Sequence, residues 1–85
     1  MSEPDLRAPI KVAIARRAHV EPDVLRAHHR LAELEIGSFQ FLQLVLEIED
    51  MMRLELTDSE MNKVLSCYTV GELCQTFEDI IRMSE

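Results

Sequence analysis

Apolar residues recur at helical spacing in three stretches of this chain and at shorter range in a fourth. The first stretch is Leu6, Ile10, Ala13, Ile14 and Arg17, with Lys11, Arg16 and Arg17 toward the outer side as a solvated face. Pro9 is tolerated only in a first turn, so this helix is predicted to begin between Asp5 and Pro9. It is predicted to end near Ala18, because Pro22 biases Glu21 away from helical geometry. Residues 19–37 read as a long loop pinned by Val20, Val24, Leu25, Leu31, Leu34 and Ile36, with room for a helical turn around Pro22 to His28. A second helix is predicted from Ser38 to Met52. At 100° per residue, Phe41, Leu44, Val45, Ile48 and Met52 share one face. Phe39, Leu42 and Leu46 share the other, among Gln43, Glu47, Glu49, Asp50 and Arg53. Leu54-Glu55-Leu56-Thr57 alternates as an extended connection. Thr57-Asp58-Ser59-Glu60 has capping-box spacing and opens a short helix through Met61, Val64 and Leu65. Thr69-Val70-Gly71-Glu72 repeats that signature before Val70, Leu73, Phe77, Ile80 and Ile81, which predict the last helix.

Composition adds class to this pattern. Two glycines and three prolines in 85 residues leave little material for tight turns. The abundance of Leu, Ala, Glu and Met favours helix. Residues 1–85 are therefore expected to form a single all-α domain, a small bundle of three long helices and one short one. The net charge of −7 is uneven: residues 1–30 sum to +2 and residues 31–85 to −9. A field of that sign repels nucleic-acid phosphates and favours basic protein partners, and the chain has no Trp and no basic run to offset it. Cys67 and Cys74 read as free thiols of a reducing compartment, since two cysteines make no disulfide framework and their spacing suits no zinc site. Met1-Ser2-Glu3-Pro4-Asp5 lacks the apolar stretch of a signal peptide, and no apolar run approaches membrane-spanning length. A monomeric, cytoplasmic protein without a membrane span is expected.

The candidate chemistry centres on Leu34-Glu35-Ile36-Gly37-Ser38-Phe39-Gln40-Phe41-Leu42-Gln43-Leu44. One serine follows a glycine where a loop becomes an apolar helix. A hydroxyl there stands beside backbone N–H groups without intrahelical partners and the positive end of the helix dipole, an environment that suits phosphate. Serine is also a preferred N-cap residue, so Ser38 has a purely structural reading as well. This segment resembles the modification site of the acyl carrier protein family. The likeness extends over roughly residues 6–82: Val20 where the family closes its first helix, Leu34 four residues before the serine, the acidic run Leu44-Val45-Leu46-Glu47-Ile48-Glu49-Asp50, and Tyr68-Thr69-Val70-Gly71-Glu72-Leu73 at the start of the last helix.

The resemblance implies a four-helix bundle of acyl-carrier type, with a 4′-phosphopantetheine arm from coenzyme A on Ser38. It also implies a phosphopantetheinyl transferase and acyl- or aminoacyl-loading and processing enzymes as partners, which meet Gly37, Phe39, Leu42, Gln43, Leu46, Glu47 and Asp50. An acyl chain is expected between helices two and four near Phe41, Val45, Phe77 and Ile81. The sequence departs from the family at Gly37-Ser38-Phe39, where aspartate, serine and leucine are usual. The missing carboxylate is one that helps the transferase's magnesium ion. Gln40 and Gln43 also replace the usual acids, and together these changes hint at a specialised lipid, polyketide or aminoacyl route. Gly37 also suits a carrier-like interaction module without an arm, and the methionine-rich second helix suits an unrelated acidic adaptor that self-associates.

The remaining polar residues point to no catalyst. His28 and His29 are adjacent, which makes them poor co-ligands, and they read as solvated loop residues. Glu47, Glu49 and Asp50 read as carboxylates that steer basic partners, not as an acid–base pair. No nucleophile–base pair or phosphate-binding glycine loop appears in the sequence.

Overall fold

Local signals start and stop every helix in the computed structural model, which describes residues 7–83. The order is α1 (Arg7–Ala18), α2 (Ser38–Met52), α3 (Asp58–Leu65) and α4 (Val70–Met83), with short 3₁₀ turns at Pro22–Val24 and Leu31–Leu34 between α1 and α2. Asp5 and Leu6, expected near the start of α1, lie outside the described residues, as does the N-terminal segment read as lacking a signal peptide.

With so few glycines, the chain turns out of its helices on residues that carry side chains. His19, Glu35 and Arg53 adopt left-handed backbone at φ 59°, 61° and 55°. After each, an amide reaches back five residues: Val20 N–H to the Ala15 carbonyl at 3.1 Å, Ile36 to Leu31 at 3.2 Å, and Leu54 to Glu49 at 2.8 Å. This wrap satisfies carbonyls that the helix end leaves open. α1 thus ends at Ala18 through His19, two residues before the effect of Pro22 on Glu21 is felt. α3 and α4 start on reciprocal caps: Thr57 with Glu60, at 2.9 and 3.1 Å, and Thr69 with Glu72, at 3.0 and 3.1 Å.

α1 lies against both α2 and α4, and α3 closes against the same two helices. The core gathers Ile10, Ala13 and Ile14 of α1, Leu44, Val45 and Ile48 of α2, Val64 of α3, and Val70, Leu73, Cys74, Phe77 and Ile80 of α4. Phe41 and Met52 pack against its edge. Ile81, expected among the apolar positions of α4, is only half-buried.

The segment 19–37, read from sequence as a loop, is more ordered than that reading. It contains both 3₁₀ turns, and its buried anchors are Leu25, Leu31 and Ile36, while Val20 and Val24 are exposed. Backbone hydrogen bonds, not apolar contacts alone, fasten it. Leu31 N–H donates to the Tyr68 carbonyl at 2.8 Å, Val70 N–H to His29 at 2.9 Å and Gly71 N–H to Ala27 at 2.9 Å. Arg30 and Thr69 form an isolated antiparallel bridge inside this stitch. Gly71 is where the two strands of chain come closest. A Cβ there would sit 2.8 Å from the Ala27 Cβ and 3.0 Å from its carbonyl oxygen, closer than side chains tolerate.

Candidate functional site

Ser38 is the first residue of α2, and the N-cap position belongs to Gly37. The Phe41 N–H donates to the Gly37 carbonyl at 2.8 Å, which is the first intrahelical bond. The structural reading of Ser38 as a cap therefore fails. Its hydroxyl has no hydrogen bond among the described residues, and the side chain is exposed. The first-turn amides of a helix have no intrahelical partners, and Ser38 lies in that turn. Gly37 has ordinary extended backbone, φ −77° and ψ 176°, so no conformational need explains a glycine there.

Beside the hydroxyl opens a recess of about 330 Å³. Leu31, Ile36 and Phe41 form its apolar wall next to Gly37 and Ser38, and Leu65, Cys67 and Tyr68 close it from the α3–α4 turn. The stitch between residues 27–31 and 68–71 holds these two walls together. Val45 and Phe77, expected beside a sheltered chain, are fully buried in the core. Only Phe41 of the expected four residues borders the recess.

The outer face of α2 is an apolar ridge. Phe39 is 66% exposed, Leu42 42% and Leu46 50%. Gln43 and Asp50 are exposed on the same side, and Gly37 is exposed at the helix start. Two of the three acids around the ridge, Glu47 and Glu49, are not the free steering groups that the sequence suggested, whereas Asp50 is exposed. Glu47 accepts hydrogen bonds from Arg16 at 3.1 Å and from Arg17 at 3.1 and 3.3 Å, and Arg17 also reaches the Gln43 side-chain oxygen at 3.5 Å. Arg16 and Arg17, read as a solvated face, thus tie α1 to α2. Glu49 turns inward and accepts the Leu56 N–H at 2.9 Å. These pairings were hidden from the sequence because they join residues about thirty positions apart, although the double arginine in the last turn of α1 was a visible signal.

The other polar candidates are structural. His29 is half-buried, and its Nδ1 accepts the Arg26 N–H at 3.0 Å, so it is not the solvated residue expected; His28 is exposed. Cys67 and Cys74 are not joined in a disulfide. Burial pushes the Cys67 thiol up from its ordinary value, a hydrogen bond with Thr76 works against that, and the nearby Glu72 charge adds to it. Backbone N–H donors from Tyr68 and then Thr69 hold the Glu72 carboxyl below its ordinary value. No helix among the described residues is long and apolar enough to cross a membrane.

The model of one protein family, described as the phosphopantetheine attachment site, matches residues 8–77, which include Ser38 and both walls of the recess. No curated protein and no solved structure matches the chain at a significant level.

Proposed function

Because this chain belongs to the phosphopantetheine attachment family, we propose that Ser38 bears the arm and that residues 1–85 work as one acyl or aminoacyl carrier domain. The family's cofactor is 4′-phosphopantetheine, attached covalently. Its terminal thiol supplies the thioester that holds cargo. The observation that carries the assignment is the exposed, unbonded Ser38 hydroxyl on the first turn of α2, at the edge of the recess.

The residues present fit the group. Gly37 adds no side chain that could block the hydroxyl, and a Cβ at that position would find no atom within 4 Å beyond its chain neighbours. Ser38 Oγ gives up its proton to a transferase and forms a phosphodiester, releasing adenosine 3′,5′-bisphosphate from coenzyme A. The first-turn amides and the helix dipole then favour the negative charge left on Ser38. Leu31, Ile36 and Phe41 offer an apolar surface to a short cargo near the attachment point and limit its contact with water. Phe39, Leu42 and Leu46 provide the face that processing enzymes meet. Carrier domains in general are not catalysts, and they work with a phosphopantetheinyl transferase and acyl-processing enzymes. This chain is read in the same way, as a cytoplasmic carrier that performs no chemistry alone. The departure at Gly37 favours a specialised lipid, polyketide or aminoacyl route.

Intact mass after incubation with coenzyme A, magnesium and a broad-specificity phosphopantetheinyl transferase tests the site. One added phosphopantetheine is expected on the wild type and none on Ser38→Ala. Because Ser38 is not the cap, Ser38→Ala should change stability by less than about 0.5 kcal/mol, as for an ordinary surface substitution. Loading that survives the substitution refutes the site.

A further inference from the structure

The ridge on α2 is not bordered by an excess of acid. Arg16, Arg17 and Arg53 stand against Glu47 and Asp50, with Glu49 turned inward to the Leu56 N–H, although the chain carries −7. Among the described residues the excess of acids lies elsewhere, on the 3₁₀ turns, α3 and α4. Those acids are largely screened beyond a Debye length of about 8 Å at physiological ionic strength.

The charges are also arranged unequally toward solvent. The Glu47 side chain is 24% exposed beneath the two guanidinium groups, whereas that of Arg16 is 67% exposed. Arg16 gives one nitrogen to Glu47 at 3.1 Å, and no other hydrogen bond engages its guanidinium among the described residues. Along the two turns nearest Ser38, the other polar residues are the uncharged Gln40 and Gln43. An approaching surface thus meets Phe39, Leu42 and Leu46 and, at the α1 edge, guanidinium N–H groups in place of a carboxylate; the exposed carboxylate on this side, Asp50, lies one turn beyond Leu46.

We infer that this face docks a protein whose contact surface is an apolar cleft with a carboxylate at the edge that meets Arg16, and not a basic patch. The inference rests on the carrier reading in taking α2 as the face that partners meet, and it assigns the chemistry of that partner. A basic rim would be repelled by Arg16 and would find Glu47 already paired. An acidic group there gains a guanidinium partner in a bidentate geometry that lysine does not offer.

The test uses the unmodified protein, so its outcome is independent of loading at Ser38. Two synthetic amphipathic helical peptides with the same Phe/Leu face, one rimmed with Glu and one with Lys, are titrated into isotopically labelled protein. Amide shifts of residues 39–47 and of Arg16 and Arg17 locate the contact. The Glu-rimmed peptide is expected to bind this face about two- to fivefold more tightly, the range that exposed ion pairs give. Arg16→Glu should erase that preference, and Glu47→Gln should keep or raise it. Tighter binding of the Lys-rimmed peptide at the ridge, or no shift there with either peptide, overturns the inference. So do shifts that grow with protein concentration alone, which would place a second copy on the ridge, and a preference for anionic lipid vesicles, which would place a membrane there.

Discussion

Gly37→Asp is expected to make the protein more stable, because the structure leaves that position free for the residue type it lacks. Gly37 is the N-cap of α2, its backbone is in the extended region that capping residues adopt, and a Cβ would meet no atom within 4 Å beyond its chain neighbours. Aspartate there can accept an N–H of the first turn, for which the gain over glycine is a few tenths of a kcal/mol. Its charge at the positive end of the helix dipole adds about 0.3–1 kcal/mol. Removing glycine from the unfolded chain adds roughly 0.4–1 kcal/mol. The combined effect is about 1–2 kcal/mol, or about 4–8 °C of Tm for each kcal/mol in a domain of this size. Thermal denaturation followed by circular dichroism measures it, with Gly37→Asn as the uncharged cap. Asn should keep the capping and glycine contributions and lose the dipole contribution, and only the difference between Asp and Asn should shrink in high salt. If both variants melt at or below the wild-type temperature, Gly37 is not the cap and Ser38 returns to that role. The same pair bears on loading. If the missing carboxylate slows the transferase, Gly37→Asp should speed modification of Ser38 while Gly37→Asn does not, and equal rates for all three proteins would refute that explanation.

Gly71→Ala should cost about 1–3 kcal/mol, the penalty of overpacking, because its Cβ would lie 2.8 Å from that of Ala27; chemical denaturation reads the loss, and an unchanged midpoint would show that the stitch yields freely. His19→Gly and Arg53→Gly should each stabilise by about 0.5–1 kcal/mol, from about 1–2 kcal/mol of left-handed strain relieved less about 0.5–1 kcal/mol of glycine entropy; a loss at both positions would argue against the left-handed turns. Glu72 has its carboxyl held below the ordinary value of 4.5 by backbone donors, so it stabilises the fold above that pH and the contribution is lost as pH falls through the depressed folded value. Melting temperatures of wild type and Glu72→Gln should therefore converge on acidification, and curves that stay parallel would show that the cap carries no linkage.

The parts of this protein written locally were legible in its sequence. The bounds of α2 at Ser38 and Met52 follow from the glycine–serine start and the apolar period, and both capping boxes appear as four-residue signatures. Distant pairings were not legible. The double arginine at the end of α1 is visible in the sequence, but not its partner: where the pattern suggests a solvated face and a free acid, the structure pairs Arg16 and Arg17 with Glu47 across the helix interface. The 3₁₀ turn at Leu31–Leu34 was missed because its period is short and its ending falls on Glu35, a residue that gives no warning of left-handed backbone. Ser38 was found by pattern, but its freedom from a capping role came only from seeing Gly37 in that place.

The long first connection and the attachment serine are one problem in construction. Ser38 sits at a helix start whose preceding chain must be held still without many glycines or a large core. The stitch does this from the far side: Leu31 binds Tyr68, His29 receives Val70 and Ala27 receives Gly71. It sets Leu31 and Ile36 against Leu65 and Tyr68 and so fixes the mouth of the recess in which Ser38 stands. Damage at Gly71 should therefore reach the site without touching it. A Gly71→Ala protein that still folds should show amide shifts at residues 31–38 larger than those at 46–52, which lie on the same helix as Ser38 but beyond the stitch. Equal shifts in both segments, or none near Ser38, would mean that α2 alone positions the serine.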